Sequence, residues 1–78
     1  MKAYKNYLIL IETANYDGWC IYETQDQAEA VKVYEGLFFP SEVTAVELFG
    51  TDEDPDTYLT GETIRKRGAA NGTAYEIL

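Results

Sequence analysis

The sequence predicts an α+β domain: a small, mostly antiparallel sheet with one main helix packed on one face. Three observations carry this. Apolar residues fill both parities of one short run, Tyr7-Leu8-Ile9-Leu10-Ile11, as in a strand that is central or covered on both sides. Asn15-Tyr16-Asp17-Gly18 follows, and Asp-Gly is strong hairpin chemistry because Gly accepts positive φ without steric cost. Beyond the hairpin, Ala28, Val31, Tyr34 and Leu37 or Phe38 recur at three-to-four spacing, the stripe of an amphipathic helix.

The elements follow in order. Residues 5–13 form the first strand, with Tyr7, Ile9 and Ile11 on one face and Leu8 and Leu10 on the other. Trp19 to Glu23 is the return strand, rich in aromatic and β-branched residues. Thr24-Gln25-Asp26-Gln27 reads as a capping box, Thr24 capping the N–H of Gln27 and Gln27 reaching back. Asp26 then lies in the first turn, where the helix dipole favours an anion. Glu29, Lys32 and Glu35 line the exposed helix face, and Gly36 and Pro40 end the helix. Val43 to Phe49 is the third strand, with Thr44, Val46 and Leu48 on one face and Val43, Ala45, Glu47 and Phe49 on the other. Asp54-Pro55-Asp56 is a helix start, giving a short helix to about residue 59 or 60 that Gly61 stops. Residues 62–67 are a strand, Gly68 to Gly72 a turn, and Thr73 to Ile77 the last strand. The expected order is therefore ββαβ, a short helix, then a C-terminal strand or hairpin, all in one domain over residues 1–78.

Composition narrows the function. The chain has 14 Asp and Glu against six Lys and Arg, no His, and a net charge of −8. Such a charge repels nucleic acid and anionic membranes and steers the chain toward basic partners; it also promotes solubility. Cys20 is the one cysteine, so no internal disulfide forms, and a reducing cytosol fits best. The apolar run 7–11 is far too short to span a bilayer.

Catalytic sets are missing. Ser or Cys nucleophiles need an adjacent base, most often His, and there is none. Cys20 reads as a structural thiol within a strand, and no Cys/His metal site can be assembled. Asp52, Asp54 and Asp56 alternate like the opening of an EF-hand loop, which needs Gly at its sixth position and Glu at its twelfth. Those positions hold Thr57 and Thr63, with Glu62 one residue short. No phosphate-cradling Gly-rich loop is present, so no enzyme activity, metal or other cofactor is expected. Arg65-Lys66-Arg67 is the one basic cluster; it could contact phosphate or clamp the 52–56 loop.

The layout, with the strong negative charge, resembles small phage-encoded proteins that disable host machinery. Ala14, Tyr16-Asp17-Gly18, Glu29-Ala30-Val31-Lys32-Val33 and Thr73-Ala74-Tyr75-Glu76 resemble segments of the type II-C anti-CRISPR family, with one gap between the first two. That family occupies the HNH nuclease site of the RNA-guided effector with a Ser-Cys pair near its C-terminus; Thr73 and Ala74 stand there in this chain. Asp52-Glu53-Asp54-Pro55-Asp56 resembles the acidic Asp-Pro segment of antirestriction proteins that mimic DNA. Both resemblances imply an inhibitor, in the cytoplasm of a bacterial host, that occludes a nucleic-acid-processing enzyme such as a CRISPR effector, restriction enzyme or polymerase. The candidate contacts are Asp52, Glu53, Asp54, Asp56 and Glu62, with Glu29 and Glu35 on the helix and Tyr16 and Tyr58 as aromatic anchors. The expected partner is a host nucleic-acid-binding protein with a basic surface; no direct nucleic acid and no membrane are involved. The competing expectation is a small structural or oligomerisation module, with a homodimer open under either.

Overall fold

Tyr7 fixes the architecture by pairing on both sides, with Thr24 in one neighbour and Gly50 in the other. The computed structural model describes residues 3–15, 19–37, 42–53, 60–70 and 73–78. Five strands form one sheet: β1 (Asn6–Thr13), β2 (Trp19–Thr24), β3 (Val43–Thr51), β4 (Glu62–Ala70) and β5 (Thr73–Glu76). Their spatial order is β2-β1-β3-β4-β5, with every neighbouring pair antiparallel. Among the described residues one helix, α1 (Gln27–Gly36), leaves β2 and returns the chain to β3 on the far side of β1. The α+β class and the antiparallel sheet with one main helix on one face, expected from the sequence, therefore stand. The short helix expected over 54–60 and the Asp-Gly turn fall largely outside the described residues.

The core lies between α1 and one sheet face. Ile9, Val46 and Leu48 from the strands meet Ala30 and Tyr34 from the helix, with Tyr7 and Val43 at the ends. On the opposite face Leu8, Leu10 and Ala45 are buried as well, which accounts for the unbroken apolar run in β1. Ala30 and Tyr34, four apart, are the buried pair of α1, whereas Ala28 is exposed. Val31 and Leu37 pack against the core beside Tyr34, as the spacing suggested, and only Ala28 gives way, to Ala30.

The helix also starts later than expected. Asp26, not Thr24, is the N-cap: it has extended backbone, and its carboxylate accepts the Glu29 N–H at 3.2 Å. The Thr24 hydroxyl instead accepts the Asp26 N–H at 3.1 Å, and Gln27 is the first helical residue. Thr-Gln-Asp-Gln and Asp-Gln-Ala-Glu are both capping sequences two residues apart. The structure uses the second.

Two further expectations are corrected. Val43 shares the helix side with Val46 and Leu48, and Thr44 is exposed. A register shift between Glu12 and Thr13 inserts Thr44 as an extra residue, which reverses the alternation before it. The expected turn at Gly68 is also strand, since β4 continues to Ala70. Gly and Ala are weak strand formers, but Gly68 lies between Ala45 and Tyr75 in the sheet. A Cβ there would meet the Tyr75 ring at 2.6 Å, so the missing side chain is what admits the ring.

Candidate partner-binding surface

The sheet register brings distant acids to one end of the fold. Tyr7 pairs with Thr24 and Gly50, Asn6 with Thr51, and Gly50 with Glu62. Glu23, Asp52, Glu53 and Glu62 therefore share the end of the sheet at which β1 begins, and the N-terminus of α1, with Asp26 and Glu29, lies next to Thr24. Asp52, Glu53 and Glu62 are exposed.

Thr51 holds the base of the acidic segment. It is fully buried, donates its hydroxyl to the Thr60 carbonyl at 2.5 Å, and accepts the Glu53 N–H at 3.1 Å. A buried hydroxyl with both roles satisfied ties the end of β3 to Thr60. The chain before β1 docks on the same structure. The Lys5 N–H donates to the Asp52 carboxylate at 3.0 Å, and the Asn6 side-chain amide donates to the Glu53 carbonyl at 2.8 Å. Tyr4 packs edge-on against Tyr7, with centroids 6.1 Å apart and planes at 88°, and its hydroxyl donates to the Glu62 carboxylate. Burial, followed by the charge of Asp52, pushes the Tyr7 hydroxyl above the usual tyrosine range.

Tyr4, Asp52, Thr60, Gly61 and Glu62 line a recess of about 250 Å³. A second, of about 290 Å³, lies between Asn6, Glu23, Thr24 and Gln25. Among the described residues no three His, Cys, Asp or Glu side chains gather in a metal-binding arrangement, and no helix is long and apolar enough to cross a membrane.

The cations behave differently. Arg65 and Arg67 point to the helix side of β4, and Lys66 to the other face. Arg65 pairs with Glu35 at 3.0 Å and Glu76 at 3.1 Å, and Lys66 pairs with Glu12 at 3.1 Å. Arg67 donates to the Tyr34 carbonyl at the end of α1. The guanidinium carbons of Arg65 and Arg67 lie 4.9 and 4.4 Å from the centre of the Tyr34 ring, within cation–π range. Among the described residues the basic cluster is thus tied to the helix end, β5 and β1. Burial raises the Tyr34 hydroxyl above its ordinary range, while the two arginines oppose that shift.

No family model, curated protein or solved structure matches this chain.

Of the candidate contacts, Asp52, Glu53 and Glu62 come together. Glu29 belongs to the same end but is engaged, accepting hydrogen bonds from the Tyr22 and Thr24 hydroxyls. The bond to Glu29 is the first cause, before burial, of the raised Tyr22 hydroxyl. Glu35 lies on the last turn of α1 with Arg65, apart from the others. Asp54, Asp56, Tyr16 and Tyr58 lie outside the described residues. The sequence pattern did not single out Tyr4, whose ring borders the recess. The signal for it was Gly50, which leaves space on the neighbouring strand for an aromatic ring. Cys20 is half-buried and donates its thiol to the Tyr22 carbonyl at 3.5 Å; burial is the main cause of its raised pKa, which disfavours the reactive thiolate.

Proposed function

We propose that this chain is a non-catalytic binding protein that inhibits a host nucleic-acid-processing enzyme by occluding its basic surface. The disposition of charge supports this. The three cations of β4 are engaged with Glu12, Glu35, Glu76 and Tyr34, whereas Asp52, Glu53 and Glu62 are exposed and make no ion pair among the described residues. The exposed carboxylates at this end steer a basic partner and stand where that partner would otherwise meet phosphates. The bacterial cytosol, where such an enzyme works, is the compartment that fits one unpaired cysteine.

Affinity capture should recover a nucleic-acid-processing enzyme, and the purified chain should inhibit it in competition with its nucleic acid. Non-competitive inhibition, or inhibition untouched by neutralising Asp52, Glu53 and Glu62 together, would refute the proposal. The competing reading, an oligomerisation module, draws on Trp19 and Ile21 at one sheet edge and Tyr75 at the other, all exposed. It requires a salt-insensitive oligomer in sedimentation.

A further inference from the structure

β2 is an edge strand, covered by β1 on one side and by no described strand on the other. Edge strands present unpaired backbone N–H and C=O groups, and proteins guard them with Lys, Pro, extreme shortness or bulges. Over its six residues β2 has no Lys, Arg or Pro. Its one guard is a register shift opposite Ile9 and Leu10, which leaves Ile21 as the extra residue. Two of its exposed side chains are apolar, Trp19 at 59% and Ile21 at 46%, and the third is Glu23. The other edge, β5, has only four residues.

Charge selects the occupant. From Asn6 to Val31 the chain carries Glu12, Asp17, Glu23, Asp26 and Glu29 and no Lys or Arg. A second copy laid along β2 would bring this acidic stretch against its own duplicate, at −8 per chain. Like charges facing each other across strands are destabilising, and opposite charges stabilising. An extended segment with alternating apolar and basic residues has the complementary chemistry. We infer that the outer edge of β2 docks such a segment of a basic partner as a sixth strand. Its apolar side chains lie on Trp19 and Ile21, and its Lys or Arg side chains face Glu23 and Asp26. Main-chain hydrogen bonds supply affinity and the alternating side chains supply selectivity. The inference rests on the proposed function only for the sign of the partner's charge.

The test is amide chemical-shift mapping on the full chain with a synthetic peptide of alternating Val and Lys. Counterparts carry Glu in place of Lys, or a central Pro. The Val-Lys peptide should bind saturably, with the largest shifts at residues 19–24, and both counterparts should lose binding. Ile21→Pro should weaken binding at least about tenfold through lost main-chain bonding. Ile21→Lys alters only an exposed side chain and should do the same while the far-ultraviolet circular dichroism stays unchanged. Neutralising Asp52, Glu53 and Glu62 should leave the residue 19–24 shifts in place, so a failure of the acidic-rim proposal is separable from a failure here. Equal binding of the Lys and Glu peptides, or shifts confined to residues 52–53 and 60–62, would overturn the inference. A peptide-free dimer that Ile21→Lys dissolves would overturn it in favour of a second copy.

Discussion

Gly50 and Gly36 give one substitution two opposite expected signs. Gly50 is buried in β3 between Tyr7 and Glu62. A Cβ there would lie 2.7 Å from Cγ and Cε2 of Tyr4, so the whole ring must move, not merely a flexible tip. Moving it breaks the edge-on contact with Tyr7 and the Tyr4–Glu62 hydrogen bond. Overpacking of this kind costs about 1–3 kcal/mol, partly offset by roughly 0.4–1 kcal/mol of restricted unfolded-chain entropy. Gly50→Ala should therefore be destabilising by about 1–2 kcal/mol, lowering Tm by roughly 5–15 °C for a domain of this size. Gly36 ends α1, and nothing lies within 4 Å of where an added methyl group would sit, so Gly36→Ala should stabilise by about 0.5–1 kcal/mol. Urea unfolding of both variants, and of Gly50→Ala combined with Tyr4→Ala, measures the effect. The double variant should show about 1 kcal/mol of favourable coupling, since the clash is gone. Equal stability of the two glycine variants, or strict additivity with Tyr4→Ala, would refute the packing described for this end of the sheet.

Three other outcomes follow from the packing. Asp26→Ala should cost about 1 kcal/mol and exceed Thr24→Ala, because Asp26 is the cap; the reverse order in thermal melts would restore the Thr24 register. Leu48→Ala, at a fully buried position, should cost about 2–5 kcal/mol and leave so small a domain close to unfolding in urea titration; a cost near zero would remove Leu48 from the core. The hydroxyls of Tyr7, Tyr22 and Tyr34 all have raised pKa values in the folded state, from burial for Tyr7 and Tyr34 and from Glu29 for Tyr22. The folded state holds these protons more tightly, so their contribution is fully present below the ordinary tyrosine pKa of about 10 and is lost as pH rises above it. Urea midpoints should fall on that alkaline side, with ultraviolet titration detecting late tyrosines; stability that rises there would contradict the burial of Tyr7 and Tyr34.

The strands and the helix were legible wherever local pattern and tertiary demand agree. Tyr7 to Ile11 announced a strand with apolar residues packed on both faces, and Tyr7 to Leu10 are buried. Where two local solutions compete, the sequence is silent on the choice. Thr24 and Asp26 are both capping residues two apart, and the helix starts from Asp26. Thr44 follows the alternation of its strand until a bulge interrupts it, and a bulge has no pattern of its own. Gly68 reads as a turn because its reason for being in a strand, the Tyr75 ring, comes from the next strand. The acidic site was half legible: composition pointed to Asp52, Glu53 and Glu62, but their meeting with Tyr4 depends on strand register. The roles of Arg65, Lys66 and Arg67 were hidden for the same reason. A run of three cations reads as one patch, yet strand alternation sends its middle member to the opposite face.

Salt dependence of binding, read together with neutralisation of the rim, tests the central claim most directly. The captured enzyme should be titrated with the native chain and with Asp52→Asn/Glu53→Gln/Glu62→Gln from about 0.05 to about 0.5 M salt, a range that takes the screening length well below the dimensions of the rim. The account predicts that the native Kd weakens steadily with salt, and that the neutralised chain binds more weakly at low salt with a flatter slope. A native Kd indifferent to salt, or identical slopes for the two chains, would contradict it.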